Sequence, residues 1–288
     1  MTLLADAPFL APAPEAVMAR AQTENFPVAS RVLPRAIRAH LLAIYGFARL
    51  VDELGDSAQG DRLSALDWLE GELDAAFEGT ARHPLLVRLA PTLGECGLER
   101  GPFVRLIEAN RLDQRRSSYV SWEELRGYCA LSADPVGELV LGVLGQSTPA
   151  RVELSDRICT ALQLTEHCQD VAEDYREGRV YLPLEDLERF GCTVEDLAAA
   201  HAGEPLQAVL AFELARARAL FDGGAPLIGE LRGRARIAVG AFVAGGRSAL
   251  DAIERAGHDV LAGPEPVGRG RLLGSLARTL LAPEARRR

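Results

Sequence analysis

From Pro34 onward, apolar residues recur at three- and four-residue spacing, rich in Ala and Leu, poor in β-branched runs and punctuated by Gly and Pro. That is the pattern of helices that bury one face. It predicts helices over roughly 35–57, 61–78, 84–96, 101–117, 121–131, 135–145, 150–177, 204–230, 232–258 and 267–281. Ser121 followed by Glu124 has the form of a capping box. Gly178 is placed to end the long helix ahead of an extended Val180-Tyr181-Leu182-Pro183. No helical repeat unit and no Gly/Ser linker divides the chain. The expectation is an all-α protein with a single helical domain over residues 23–266. An N-terminal extension (1–22) precedes it, and a basic amphipathic helix and tail (267–288) follow.

Two places break the apolar pattern with acids. Asp52-Glu53-Leu54-Gly55-Asp56 and Asp170-Val171-Ala172-Glu173-Asp174 each set two aspartates four residues apart within predicted helix. Side chains so spaced share a face, and like charges there repel unless a cation sits between them. In the first helix Leu41, Tyr45, Ala48 and Asp52 fall close to one line, so the carboxylates continue an apolar stripe. The competing reading is a frayed helix end with its acids in solvent. In the second, Gln163, Glu166, His167, Asp170 and Asp174 share a face, and the competing reading is a solvated stripe. Against that, the residues four beyond Asp170 and Asp174 are Asp174 and Gly178, not arginines. Two such pairs suggest carboxylates facing each other across a cavity and holding Mg²⁺ against a phosphorylated ligand.

Composition narrows the classes. The 288 residues are 48% hydrophobic, enough for a substantial core. A net charge of −9 argues against a nucleic-acid partner, whose counterpart surface is basic. All cations are arginine, which composition bias explains without invoking phosphate binding. Cys96, Cys129, Cys159, Cys168 and Cys192 are odd in number and form no C-x-x-C pair, pointing to a reducing cytosol. With no signal-peptide pattern and no long apolar span, a cytoplasmic location is expected. The tail containing Arg269, Arg271, Leu272, Leu273, Leu276, Arg278, Leu280, Leu281 and Arg286-Arg287-Arg288 suits a transient contact with the inner face of a membrane. The competing reading is a last helix packed on the domain with a disordered basic end.

The segments Tyr45 to Asp56, Gln163-Leu164-Thr165 through Asp170 and Asp174, and Gly178-Arg179-Val180-Tyr181-Leu182-Pro183 resemble the squalene/phytoene synthase family. Within it, Glu24 to Arg31, Glu108-Ala109-Asn110-Arg111, Leu131 to Gly137 and Glu166-His167 are most similar to the hydroxysqualene synthase branch of bacterial hopanoid biosynthesis. The resemblance runs from about Thr23 to Cys192 and weakens beyond. It implies an isoprenoid synthase fold with a central cavity. It also implies Mg²⁺ held by Asp52, Asp56, Asp170, Asp174 and Glu166, the last standing where relatives often have asparagine. Tyr45, Arg49, Gln163, Arg179 and Tyr181 match substrate-side positions, and Phe26 and Tyr128 match cavity aromatics.

The family's usual double aspartate opening the first motif is Asp52-Glu53 here, and its Ser-basic-Ser segment is replaced by Thr23-Glu24-Asn25. A cation expected near one diphosphate is thereby lost, which favours a substrate with a single diphosphate. The branch's reaction would be presqualene diphosphate plus water giving hydroxysqualene and diphosphate. Arg49, Arg179 and Tyr181 would clamp the leaving group, and Glu166 or His167 would position or deprotonate the water. Such a protein would stand in functional partnership with a presqualene diphosphate synthase and a hydroxysqualene-reducing enzyme. Two alternatives remain: a head-to-head condensing synthase making presqualene diphosphate, squalene or phytoene, and a non-catalytic assembly protein of the same fold.

Overall fold

The computed structural model describes residues 13–19, 33–56, 60–262, 275–276 and 279–280. Among these the regular structure is helical, the sole bridge being a parallel one between Ser118 and Val180. The chain divides into two compact units, residues 1–115 with 135–148 and residues 116–134 with 149–288.

The first unit contains α1 (Pro14–Ala19), α2 (Arg35–Asp56), α3 (Arg62–Glu78), α4 (Pro84–Cys96), α5 (Arg100–Asp113) and most of α7 (Asp134–Val143). Its helix ends follow from local chemistry. Asp61 accepts from the Leu63 amide at 3.1 Å to cap α3, and Gly79, at φ 75°, supplies the left-handed residue that closes it. The apolar faces of α2 to α5 bury Phe47, Leu50, Leu54, Leu66, Leu69, Leu86 and Phe103. Phe47 and Phe103 meet edge to face at 5.1 Å. Arg111 on α5 pairs with Glu70 and Asp67 of α3, and Arg100 with Glu70 and Asp74, fixing α5 against α3. The end of α2 is set by α5. A Cβ added to Gly55 would collide with Asn110 Oδ1, and Gln114 donates to the Gly55 carbonyl at 2.9 Å.

The second unit contains α6 (Trp122–Ser132), α8 (Pro149–Gln169), α9 (Val171–Arg176), α10 (Leu184–Arg189), a 3₁₀ turn (Val194–Ala198), α11 (Glu204–Gly224), α12 (Pro226–Glu230) and α13 (Gly233–Arg255). The Ser121 cap forms, its hydroxyl accepting from the Glu124 amide at 3.3 Å. Glycines let the long helices close in. Gly224 lies against Ile158 and the Leu154 carbonyl, and Gly246 against Phe221 and Leu162. Asp134, nearly fully buried, accepts from Arg126 at 2.8 Å and Thr160 at 2.9 Å, tying α6 to α8.

Two predicted helices are broken in the structure. The expected 150–177 helix ends at Gln169, and Asp170 (φ −100°, ψ 13°) starts a separate α9. Asp170 N still bonds the Glu166 carbonyl and Asp174 N the Asp170 carbonyl, so the periodic pattern runs through the break unchanged. The expected 204–230 helix stops at Gly224 because Pro226 has no amide proton to continue it. In the C-terminal segment, Ser275 and Thr279 are buried and Ser275 donates to the Ala244 carbonyl of α13 at 3.1 Å. Leu276 and Leu280 lie against Gly240 of α13, and Arg236 donates to the Leu280 carbonyl at 3.0 Å. The remaining residues of the predicted tail helix, and Phe26, lie outside the described residues. No helix among the described residues is long and apolar enough to cross a membrane.

Candidate active site

In the first unit, Tyr45, Arg49, Asp52 and Asp56 all lie on α2, whose interior face is held by Leu50, Val51 and Leu54. The Asp52 side chain is 47% exposed, and Asp56, the last helical residue, is exposed. The first motif therefore sits at an open helix end instead of continuing the buried stripe. Gln114 satisfies one of the carbonyls left unpaired at that end. Arg49 is mostly buried and turned along its own helix. It bonds Glu53 Oε1 at 3.0 Å, lies 3.7 Å from Asp52 Oδ2, and keeps its Nε buried with no acceptor. Its positive charge is thus built into the motif.

In the second unit, α8 carries Gln163, Glu166 and His167, and the break at Asp170 leads into α9 with Asp174. Asp170 and Asp174 are both partly buried. Burial, then Glu173, raises the Asp170 carboxyl above its ordinary range. Burial, then Asp170, pushes Asp174 up to about 7, with Arg179 pulling the other way. Burial disfavours the charge on both carboxylates, and Asp170 adds to it at Asp174, a condition a bound cation relieves. Glu166 is exposed, and its charge adds to the rise at Asp174.

Behind the carboxylates stands an aromatic wall. The His167 ring stacks on Tyr181 at 4.0 Å, and Tyr181 lies 5.5 Å from Tyr128 and 5.9 Å from Tyr119. Burial drops His167 to about 3, so its ring is neutral. Its Nδ1 is 4.0 Å from Asp174 Oδ2, a contact that is no ion pair while the imidazole carries no charge, and its Nε2 is 3.4 Å from the Gln163 amide. A void of about 10 Å³, at the lower limit for one water, lies between His167, Asp174, Arg179 and Tyr181. The larger groove of about 540 Å³, between α3 and α4, contains Phe77 and Val87 and none of these residues.

The second unit thus gathers Tyr128, Gln163, His167, Asp174, Arg179 and Tyr181. Tyr119, fully buried in the same wall, escapes sequence reading because it lies in an irregular segment with no periodicity to mark its face. Its one signal is the aromatic just ahead of the Ser121 cap.

All the acidic groups offer hard oxygen donors, the type Mg²⁺ selects. Among the described residues no three His, Cys, Asp or Glu side chains cluster closely enough to form a metal cage by themselves. Mg²⁺ does not need one, since it commonly takes one or two carboxylates and completes its shell with water and substrate phosphate. The residues fit that ion.

The squalene/phytoene synthase family model matches residues 19–272. A hydroxysqualene synthase of Rhodopseudomonas palustris is 37% identical over 213 residues, covering 73% of this chain and 72% of its own. A phytoene synthase of Arthrospira platensis is 33% identical over 252 residues, covering 82% of each. The crystal structure of squalene synthase HpnC from Alicyclobacillus acidocaldarius superimposes with a TM-score of 0.80 at 45% identity, covering 85% of this chain and 94% of that one. The aspartate motifs, the helical architecture and these matches agree: the chain belongs to the squalene/phytoene synthase family and has its all-α isoprenoid synthase fold.

Proposed function

We propose that this protein is a hydroxysqualene synthase, converting presqualene diphosphate and water to hydroxysqualene and diphosphate. The observation that carries the reading is Asp174, 4.0 Å from His167 and beside Tyr181, in a wall that Tyr128 and Tyr119 continue. Charge-hungry carboxylates beside apolar ring faces suit a lipid whose diphosphate leaves and whose carbon skeleton becomes cationic. The 37% identity to a named hydroxysqualene synthase supports the same choice.

Asp52 and Asp56 in the first unit, and Asp170, Asp174 and Glu166 in the second, would hold Mg²⁺. Bound there, the ion supplies Lewis acidity that offsets the charge developing on the diphosphate as its C–O bond breaks. Arg179 and the Tyr181 hydroxyl orient the same oxygens. Arg49 keeps the α2 acids in register. The ring face of Tyr128 would stabilise the cation by about 0.5–2 kcal/mol. His167, neutral and pinned by its stack, is too weakly basic to take a proton readily, so it orients the water by hydrogen bonding. Glu166, exposed one turn before Asp170, receives the proton. Substrate would come from an enzyme making presqualene diphosphate and product would pass to a hydroxysqualene-reducing enzyme. The basic tail would rest transiently on the membrane face where both lipids partition.

The 33% identity to a phytoene synthase over 82% of the chain favours a second reading, a head-to-head condensation of prenyl diphosphates. The test supplies purified protein with Mg²⁺ and either presqualene diphosphate or farnesyl diphosphate, without nicotinamide, and identifies products by mass spectrometry. Hydroxysqualene from presqualene diphosphate alone is the expected result. A C30 diphosphate or hydrocarbon from farnesyl diphosphate would establish the second reading in its place.

A further inference from the structure

In the second unit, residues 117–122 and 180–185 run side by side. Val180 N donates to the Ser117 carbonyl at 2.7 Å, Leu184 N to Tyr119 at 2.9 Å and Glu185 N to Val120 at 3.0 Å. Trp122 N returns a bond to Glu185 Oε1 at 2.7 Å. This strap carries Arg179 and Tyr181 into the candidate site.

Immediately beyond it, the chain is fastened to α11 by a charged trio whose two carboxylates are buried. Arg216 Nη1 donates to Asp186 Oδ2 at 3.0 Å and also to Glu213 Oε1. The guanidinium lies 4.6 Å over the Trp122 ring, so with its bond to Asp186 it holds both edges of the strap, and 4.8 Å over Phe212 of its own helix. Asp186 is 3% exposed and Glu213 0%. Glu213 Oε2 is buried with no hydrogen-bond partner. Two buried carboxylates against one guanidinium leave a negative charge without compensation, which the interior strongly disfavours. A proton on Glu213 removes that charge and turns its orphan oxygen into a donor toward Asp186.

We propose that Glu213, Asp186 and Arg216 form a proton-sharing positioning unit that holds the strap, and with it Arg179 and Tyr181, in place for the diphosphate end of the substrate. The substrate-side role of the strap rests on the function proposed above; the lock itself does not. Burial pushes the Glu213 carboxyl up to about 8, Arg216 opposing and Asp186 assisting. The groups facing it are Arg216 on its own helix, Asp186 on α10 and Cys168 on α8. The Cys168 thiol is held well above its ordinary range and stays neutral.

The test compares the full-length protein with Glu213→Gln, which keeps a donor at that atom and cannot ionise, and with Glu213→Leu. Hydrogen exchange of the segment carrying the Val180, Leu184 and Glu185 amides is followed at pH 7 and 9, corrected for intrinsic rates. Calorimetric binding of inorganic diphosphate with Mg²⁺ is followed alongside. Wild-type protection and affinity fall about tenfold between those pH values, because the protonated fraction of a group titrating near 8 falls by that factor. Glu213→Gln folds, retains the pH 7 values and loses the dependence. Glu213→Leu is already loosened at pH 7. Equal pH dependence in wild type and Glu213→Gln, or a Glu213→Gln protein that does not fold, overturns the proposal. A strap that responds as expected in a protein making no hydroxysqualene overturns the proposed function and leaves the lock standing.

Discussion

Asp174 combines partial burial with a like-charged neighbour, and its carboxyl is pushed up to about 7 as a result. Replacing it by asparagine removes that conflict while keeping the shape. Asp174→Asn is therefore expected to melt no lower than wild type. It should lose at least about 100-fold in turnover, comparable to deleting a strong electrostatic contact in a transition state, and its Mg²⁺-dependent binding of inorganic diphosphate should vanish in calorimetry. A variant that binds and turns over normally would remove Asp174 from the site. At this scale sequence reading was strongest where spacing carries physics. Asp-x-x-x-Asp is legible because like charges one turn apart need a reason. Glu213 and Arg216 were not, since a lone acid three residues before an arginine in an Ala-rich helix reads as a solvated pair. Only the fold shows that Glu213 is wholly buried.

Among the elements, α2 depends on its neighbour α5. Gly55 sits between the two aspartates of the first motif, and Asn110 occupies the space its side chain would need. Gly55→Ala is expected to cost about 1–3 kcal/mol through overpacking. Adding Asn110→Ala should recover part of that loss, since Oδ1 and Cγ make the shortest contacts, and a double-mutant cycle of thermal melts measures the coupling. Strict additivity would mean the contact does not form. A second element-level expectation concerns α4. His83, the residue at its N-terminal cap, is buried edge-on to Trp68 at 5.8 Å with Nδ1 unpartnered. Burial lowers its basicity, Glu72 opposing. Because the unfolded chain takes up this proton near 6.5 and the folded chain resists it, the stability from His83 is present above that pH and lost as pH falls below it. The stability of His83→Phe should therefore fall less steeply than that of wild type as pH drops from about 6.5 to about 5. The difference in slope is at most ~1.4 kcal/mol per pH unit, the limit for a single proton. Identical slopes in urea titrations across that range would contradict the assignment. The ends of α3 and α4 were readable from Asp61, Gly79 and Pro84, where side-chain or φ chemistry dictates the stop. The break at Asp170 was not, because the backbone bonds on both sides of it keep helical spacing.

For the whole molecule, the all-α architecture was legible because helical periodicity persists through nearly every segment and turn residues fall between them. The two compact units leave no such trace, as their boundaries near residues 115, 134 and 148 carry no Gly/Ser-rich stretch. The predicted acids of α2 lie in the first unit, and those of α8 and α9, with the aromatic wall, in the second. The central claim is that the diphosphate departs by C–O cleavage and that water then captures the carbon skeleton. The direct measurement is turnover of presqualene diphosphate with Mg²⁺ in ¹⁸O-labelled water, with mass spectrometry of both products. The account predicts one labelled oxygen in hydroxysqualene and none in the released diphosphate. Label in the phosphate with an unlabelled alcohol, or a product without the hydroxyl, would contradict it.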